Sequence, residues 1–345
     1  MSLQVSHLHK KYGDKVVVED LSFTMPGPGV YALLGTNGAG KTTSIRMMLG
    51  MLKRDGGETL WNGKELTVDS CNIGYLAEER GLYPKYGLME QLIYFASLRG
   101  VSKEDAKKRI RSLAERLEVT EYLYPGSQPS GALADRSAMN LAGGGPAPAQ
   151  AGSLRGLALR KKEKPKLADQ LSKGNQQKIQ FMAAMLSDPE LIILDEPLSG
   201  LDPVNTDLIR DVIREEIAKG KYLIMSSHQM ATVEEFCTDI TILDRSRTVL
   251  QGNLNDIKKS YGRVNLHLKC EGDARPFIER SGAVVLSEKE QEYQLKVKGE
   301  EQANALLFQL MSAKVPVITF DLREPSLHEI FVEKVGEVHE DQESY

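Results

Sequence analysis

The sequence predicts an α/β fold followed by a smaller α+β domain in a chain of 345 residues. Three apolar runs, Val30–Leu34, Leu191–Leu194 and Tyr222–Met225, have the length and composition of buried strands, and each ends in glycine or polar residues. From Arg263 onward, alternating strands and short helices replace this pattern. The length is sufficient for two domains, each with its own core.

The composition is typical of a soluble globular protein. The formal net charge is −4 and the pI is about 6.0, so no overall basic field predicts a nucleic-acid partner. No apolar run is long enough to cross a bilayer, and residues 1–13 have no apolar core of the kind found in signal peptides. Cys71, Cys237 and Cys270 have neither disulfide nor metal-ligand spacing, so we expect reduced, packed thiols in a cytoplasmic protein.

A phosphate-binding loop follows the first buried strand. Residues 35–42 fit the pattern G-x-x-x-x-G-K-[ST], with the strand Val30–Leu34 before it and an apolar-periodic helix, Ile45–Leu52, after it. The alternative is a glycine-rich turn without a ligand, but the flanking elements favour a phosphate site. The glycines let backbone N–H groups face phosphate oxygens, Lys41 would reach the β- and γ-phosphates, and Thr42 would ligate Mg²⁺. The predicted nucleotide-binding residues here are Gly35, Thr36, Asn37, Gly38, Ala39, Gly40, Lys41, Thr42 and Thr43.

Acidic residues and a histidine follow the other two strands. Asp195 ends the strand Leu191–Leu194 and suits Mg²⁺, while Glu196 suits a general base that polarises the attacking water. The alternative is that these carboxylates only cap the next helix. His228 follows the strand Tyr222–Met225. Because ligands of open α/β sheets bind at the carboxyl ends of strands, we expect the three strand ends to lie side by side.

These motifs together resemble the nucleotide-binding subunit of ATP-binding cassette (ABC) transporters over about residues 2–250. The match depends on seven segments in the family's order. They are Tyr12 in KKYGDK, the Walker A loop GTNGAGKTT, the glutamine-loop segment IGYLAEERGLYP, the signature LSKGNQQK, the Walker B strand LIILDEP, the D-loop SGLD and the switch-histidine segment SSHQM.

The resemblance implies an active site shared by two subunits. Two copies would pair head to tail, with ATP between the Walker A loop of one and the signature of the other, contacted by Ser172 and the Gly174 backbone. Tyr12 would stack on adenine, and Asp202 belongs to the D-loop. Two departures stand out: Lys173 and Asn175 alter the signature, and Glu78 occupies the glutamine-loop position, where it would ligate Mg²⁺.

The family pattern also predicts a helical subdomain at about residues 82–190, within a nucleotide-binding domain of residues 1–252. Two helix starts are predicted in it, one at the capping signal of Ser102 with Asp105 and one at Ser172 in LSKGNQQK. The subdomain would receive a helix of the membrane permease at Leu82, Tyr83, Tyr86 and Tyr94, unless these residues are core. Residues 124–166 form a low-complexity insertion ending in the basic run RKKEKPK. It is either a disordered loop that the fold tolerates, an adapter for a partner or anionic lipid, or an engineered or aberrant insertion.

The C-terminal part, residues 253–337, reads as a ferredoxin-like βαββαβ domain closed by an amphipathic helix at 324–337, before an acidic tail at 338–345. It resembles the accessory domain of sodium-extrusion-type and related exporters, with a regulatory or dimer-stabilising role.

The predicted function is therefore an ATP-binding and ATP-hydrolysing subunit that dimerises on ATP at the cytoplasmic face of the membrane and drives a separate permease, as an exporter. Two alternatives remain: a soluble ABC ATPase acting on ribosomes or DNA, and a regulatory module without hydrolysis.

Overall fold

The computed structural model describes residues 1–79, 81–125 and 166–343, with side chains described up to residue 336. Most of the predicted insertion at 124–166, including all but the last residue of its basic run, lies outside these ranges. The strands are β1 Leu3–Tyr12, β2 Lys15–Met25, β3 Gly29–Gly35, β4 Gly56–Trp61, β5 Lys64–Glu65, β6 Ile73–Leu76, β7 Leu191–Asp195, β8 Tyr222–Ser227, β9 Asp239–Asp244, β10 Arg247–Asn253, β11 Asn265–Cys270, β12 Val284–Lys289, β13 Glu292–Lys296 and β14 Val317–Arg323. The α-helices are α1 Lys41–Met48, α2 Leu88–Leu98, α3 Lys103–Arg116, α4 Thr120–Leu123, α5 Lys173–Met185, α6 Pro203–Ala218, α7 Met230–Phe236, α8 Leu254–Tyr261, α9 Arg275–Ser281, α10 Glu300–Ser312 and α11 Leu327–Glu343.

A six-stranded sheet in the order β10-β9-β3-β8-β7-β6 positions the predicted motifs. Strands β3, β8 and β7 run parallel, and Leu34 pairs with Ser227 while Asp195 pairs with Ser226. The carboxyl ends of these three strands therefore lie side by side, which confirms the prediction. All residues of β7 and β8 are buried, as expected for parallel strands covered on both faces.

A four-stranded antiparallel sheet, β2-β1-β4-β5, was not predicted. Its residues alternate only imperfectly between apolar and polar, because register shifts interrupt the pairing of β1 with both β2 and β4. Helix α1 contacts β1 and β2 of this sheet as well as β3 and β7 of the larger one. One apolar core accordingly surrounds the helix that follows the phosphate loop.

Helix α1 begins four residues earlier and ends four residues earlier than the predicted Ile45–Leu52. Gly40 has φ 108°, outside the helical region, so the helix starts directly after it at Lys41. Gly50, at φ 67°, adopts the left-handed conformation that commonly follows a helix C-terminus and so ends the helix. The correction places Lys41 and Thr42 within the first turn of α1.

The described chain divides into two compact units. One comprises residues 1–75, 190–197 and 216–345, and the other residues 76–189 and 198–215. The second unit contains α2, α3, α4, α5 and most of α6. The predicted capping signal before α3 is confirmed, since Ser102 Oγ accepts a hydrogen bond from the Asp105 amide at 3.1 Å.

The C-terminal part has the predicted ferredoxin-like topology. Its elements follow the order β11-α9-β12-β13-α10-β14, and its antiparallel sheet has the order β12-β13-β11-β14. Strand β12 lies at one edge of this sheet, and all its residues are exposed. Helix α11 extends to Glu343, beyond the predicted end at 337, because no proline or left-handed glycine stops it.

Within the described ranges, none of the helices combines the length and apolar character needed to span a bilayer.

Candidate functional site

The phosphate loop is a backbone cradle that requires glycine at two positions. A Cβ atom on Gly40 would lie 2.6 Å from the carbonyl oxygen of Val17, and one on Gly35 would lie 2.2 Å from that of Leu243. Both residues also have φ between +100° and +150°, a conformation that other residues rarely adopt. Strand β2 and the end of β9 therefore approach the loop so closely that side chains are excluded there.

Lys41 is held over this loop. Its Nζ atom donates hydrogen bonds to the carbonyl oxygens of Gly35 at 2.9 Å and Thr36 at 3.2 Å, and lies 3.6 Å from Glu196 Oε1. The side chain is almost completely buried. An ammonium group fixed by backbone carbonyls at a helix N-terminus provides a positive charge for a phosphate group.

Asp195 is fully buried at the end of β7. Ser226 Oγ donates a hydrogen bond to its Oδ1 atom, whereas Oδ2 has no hydrogen-bond partner, and the Thr42 hydroxyl lies near this carboxylate. Burial raises the pKa of Asp195 above its ordinary value, although the hydrogen bonds from Ser226 and Thr42 oppose this. A buried carboxylate oxygen without a donor, next to a threonine hydroxyl, fits a divalent cation such as Mg²⁺.

Glu196 has a strained backbone and is paired with His228. Its φ is 50°, in the left-handed region, and its amide donates to Ser226 Oγ at 3.0 Å. Its Oε2 atom lies 2.9 Å from His228 Nδ1, while the buried Oε1 atom has no hydrogen-bond partner. The imidazole is partly exposed, with 44% of its side chain accessible. The pair thus joins a buried carboxylate to a group that reaches solvent.

Ser226 is a functional residue that the sequence analysis did not select. Its hydroxyl donates to Asp195 and accepts from the Glu196 amide, so it fixes both acidic residues from the neighbouring strand. The polar end of an otherwise apolar strand, SSHQM, was the available signal. Only His228 was selected from it.

The structure places Tyr12 at the end of β1, with its ring half exposed and Lys10 Nζ 5.1 Å from the ring centroid. Tyr12 pairs with Lys15 across the hairpin to β2. The same hairpin approaches Gly40 through Val17. An accessible aromatic ring is therefore carried by the hairpin that borders the phosphate loop.

The other predicted site residues belong to the second unit. Ser172 caps α5 by accepting a hydrogen bond from the Asn175 amide at 3.3 Å, which confirms the predicted helix start. A Cβ on Gly174 would meet the Leu201 and Asn205 side chains at 3.3 Å and 3.5 Å, so this glycine permits close packing of the D-loop segment.

Asp202 caps the start of α6 by accepting a hydrogen bond from the Asn205 amide at 2.9 Å, and that bond contributes most to lowering the pKa of Asp202. Glu78 is exposed in the loop after β6.

A family model described as "ABC transporter" matches residues 18–199, and a second, "ATP-binding protein DrrA1-3-like, C-terminal domain", matches residues 252–335. The chain belongs to the ABC transporter ATP-binding proteins. The curated "Uncharacterized ABC transporter ATP-binding protein YhaQ" of Bacillus subtilis is 37% identical over 339 residues, covering 98% of this chain and 100% of that protein.

Two further relatives agree with this family. The "Nod factor export ATP-binding protein I" of a Rhizobium species is 26% identical over 358 residues and covers 97% of both chains. A solved "ATP binding subunit of ABC transporter" superposes with a TM-score of 0.59 at 27% identity, covering 76% of this chain and 93% of that one. This chain is accordingly an ATP-binding subunit of an ABC transporter. ABC ATP-binding domains hydrolyse ATP to power transport, and such subunits work as dimers with membrane permeases.

Proposed function

We propose that this ABC subunit hydrolyses ATP with Glu196 as the general base and His228 as the residue that contacts the γ-phosphate. The observation that carries the proposal is the buried Glu196 carboxylate, bonded on one oxygen to His228 and without a hydrogen-bond donor on the other. That second oxygen is available to accept a proton from an attacking water. Lys41 Nζ lies 3.6 Å from this oxygen. When ATP is bound, the ammonium group would interact with the phosphates of the nucleotide instead of with Glu196.

The group expected beside Asp195 is Mg²⁺, which would neutralise phosphate charge when bound. Thr42 and Asp195 would hold it through the hydroxyl and the unpartnered Oδ2 atom, and Ser226 would keep the carboxylate oriented. The predicted ligand Glu78 is proposed as a further contact through its exposed carboxylate. Residues 35–43 would surround the nucleotide, and Tyr12 would stack on its adenine.

The decisive test is Glu196→Gln. The amide keeps the size of the side chain but accepts a proton poorly, so we expect ATP binding within about threefold of wild type and turnover reduced at least about 100-fold. Nucleotide binding is measured with a fluorescent ATP analogue and turnover by phosphate release. The matched control is Glu58→Gln, an exposed glutamate of β4, which should change neither. Multiple turnovers by Glu196→Gln at the wild-type rate would exclude Glu196 as the base.

A second copy of the chain would complete the site. Ser172 and Gly174 lie at the N-terminus of α5, where unpaired backbone N–H groups suit the γ-phosphate of a partner subunit's ATP. Asp202 would border the same nucleotide through the D-loop. With Glu196→Gln to prevent turnover, ATP should convert the monomer into a dimer in analytical ultracentrifugation. Adding Ser172→Arg should abolish that dimer, and a dimer that persists would contradict the head-to-tail arrangement.

The permease would dock on exposed aromatic residues of the second unit. Tyr83, Tyr86 and Tyr94 are each at least half exposed, and Tyr83 packs edge-on against Tyr86 with ring centroids 5.9 Å apart. Together with the partly buried Leu82 they offer apolar contact area to a short helix. A photo-crosslinking amino acid at Tyr86 should capture an integral membrane protein in native membranes. Capture of ribosomal protein instead would favour the soluble, non-transport function.

We assign the direction of transport as export, by similarity to the Nod factor export relative. The corresponding location is the cytoplasmic face of the membrane, and the proposed division between the nucleotide-binding and accessory domains lies at residues 252 and 253.

A further inference from the structure

Glu234 joins three helices of the first unit. The residue lies on α7, and its Oε1 atom accepts a hydrogen bond from Lys258 Nζ of α8 at 3.1 Å. The same oxygen accepts from the backbone N–H of Leu327, the first residue of α11, at 2.9 Å. The Glu234 side chain is 23% exposed. One partly buried carboxylate oxygen thus connects α7 with two helices from the C-terminal part of the chain.

Helix α11 does not need Glu234 in order to form. Ser326 Oγ accepts from the Glu329 amide at 3.3 Å, and Glu329 Oε2 accepts from the Ser326 amide at 2.6 Å. These two bonds are a complete capping box for the first turn. The Leu327 N–H would otherwise be an unpaired donor at the positive end of the helix, where a carboxylate is favourable. The bond to Glu234 therefore attaches α11 to α7 rather than starting α11.

Apolar packing accompanies this bond. Helices α7 and α11 lie in contact. Val233 of α7 is fully buried, as are Leu327 and Ile330 of α11. The hydrogen bond at Glu234 therefore lies next to buried apolar residues of both helices. Together, the bond and the apolar packing fix the orientation of α11 relative to α7.

Helix α7 also continues directly from the His228 segment. Gln229 is its N-cap residue, and its carbonyl oxygen accepts from the Thr232 amide at 3.2 Å. On the other side of His228, Ser227 Oγ accepts from the Gln229 amide at 2.9 Å. The residues flanking His228 are thus bonded to the first turn of α7 and to the end of β8. A change in the position of α7 would change the 2.9 Å contact between His228 and Glu196.

We propose that Glu234 is a positioning residue through which α11 holds α7, and with it His228, in the orientation that hydrolysis requires. The accessory domain would then set the rate of ATP hydrolysis without touching the nucleotide. The inference rests on the proposed role of His228.

The experiment compares ATP hydrolysis by variants of the full chain over a range of ATP concentrations. We expect Glu234→Ala to lower kcat about tenfold with the KM for ATP unchanged within about twofold. Glu234→Gln should recover at least half of the wild-type kcat, because its amide oxygen still accepts from the Leu327 N–H. Lys258→Ala leaves that bond in place, and Glu279→Ala changes an exposed carboxylate of α9, so both should retain wild-type kinetics.

The path through His228 is tested by a double variant and by hydrogen exchange. Glu234→Ala combined with His228→Ala should be no slower than His228→Ala alone, since both changes affect the same contact. Amide exchange should increase in residues 327–332 and 229–236 of Glu234→Ala, while its melting temperature shows that the chain remains folded.

The contradicting outcomes are distinct. Wild-type kcat in folded Glu234→Ala, or multiplicative losses in the double variant, would overturn this inference and leave the proposed function intact. A normal rate in His228→Ala would overturn the proposed role of His228, and the path from α11 with it. If Glu234→Ala fails to fold, Glu234→Leu, which keeps the size of the side chain but accepts no hydrogen bond, takes its place. A reduced kcat that Glu234→Gln restores supports the inference, whereas a wild-type kcat in Glu234→Leu would overturn it.

Discussion

At the scale of single residues, the structure brings the predicted side chains of Lys41, Glu196 and His228 together and adds supports that the sequence did not reveal. Their functional groups and their order along the chain selected these residues, with Asp195, as candidates. Ser226 was missed because its hydroxyl reaches Asp195 only in the register in which β8 pairs with β7. That register is known from the sheet and not from the sequence. The left-handed backbone of Glu196 and the hydrogen bond from its amide to Ser226 Oγ were likewise not predicted.

Gly40 combines a left-handed backbone with a place in the proposed phosphate loop. In Gly40→Ala, the new methyl group would lie 2.6 Å from the Val17 carbonyl oxygen at a φ of 108°. We expect the free energy of unfolding to fall by about 2 kcal/mol and ATP binding to weaken at least about tenfold. Denaturant unfolding and nucleotide titration measure these effects. Gly50→Ala, where the added atom has open space at a φ of 67°, should weaken stability alone.

At the scale of elements, strands buried on both faces and helices with clear caps were predicted, and bulged strands were not. Ser102 begins α3 and Ser172 begins α5 because each offers a side-chain oxygen to an unpaired amide. The end of α1 depends instead on the left-handed Gly50, whereas α11 continues through Gly336. The sequence does not reveal which conformation a glycine adopts. Both β1 and β2 lose their alternating pattern at register shifts, so pattern reasoning had no continuous period to follow.

The contact between α4 and α5 is expected to hold the start of the signature helix. Asn175 Nδ2 donates to the Tyr122 hydroxyl at 3.0 Å, and a further bond from that hydroxyl to Glu121 raises the pKa of Tyr122. Tyr122→Phe removes the acceptor, so we expect a loss of about 1 kcal/mol in unfolding free energy and faster amide exchange in the first turn of α5. Tyr94→Phe, which changes an exposed ring, is the control. Equal exchange in both variants would show that Tyr122 does not support α5.

At the scale of the whole molecule, the change of pattern near Arg263 predicted a separate set of C-terminal strands and helices, which the structure shows as β11 to β14 with α9 and α10. The ferredoxin-like order was predictable because each short element has a clear boundary. Sequence order could not give the composition of the compact units, since residues 190–197 belong with segments far away in the chain. Long-range association of this kind depends on packing rather than on local preference.

The three cysteines are free and buried, as the sequence analysis predicted. Burial raises the pKa of all three thiols, that of Cys71 to about 12, so the reactive thiolate is scarce at neutral pH. We expect almost no reaction with a disulfide reagent at pH 8 in the native protein, and an increase as the pH rises. In guanidinium chloride all three should react. A thiol that reacts at once in the native protein would contradict this.

The interleaved units also determine how the gene can recombine. Exchanging the second unit between relatives requires four junctions, at 75/76, 189/190, 197/198 and 215/216, because the eight residues that carry Asp195 and Glu196 interrupt it. The accessory-domain match at residues 252–335 lies within the first unit, whose last segment is residues 216–345. Exchange of one unit alone should therefore be rare among relatives, and the accessory domain should be inherited together with the strands that carry the phosphate loop and Asp195.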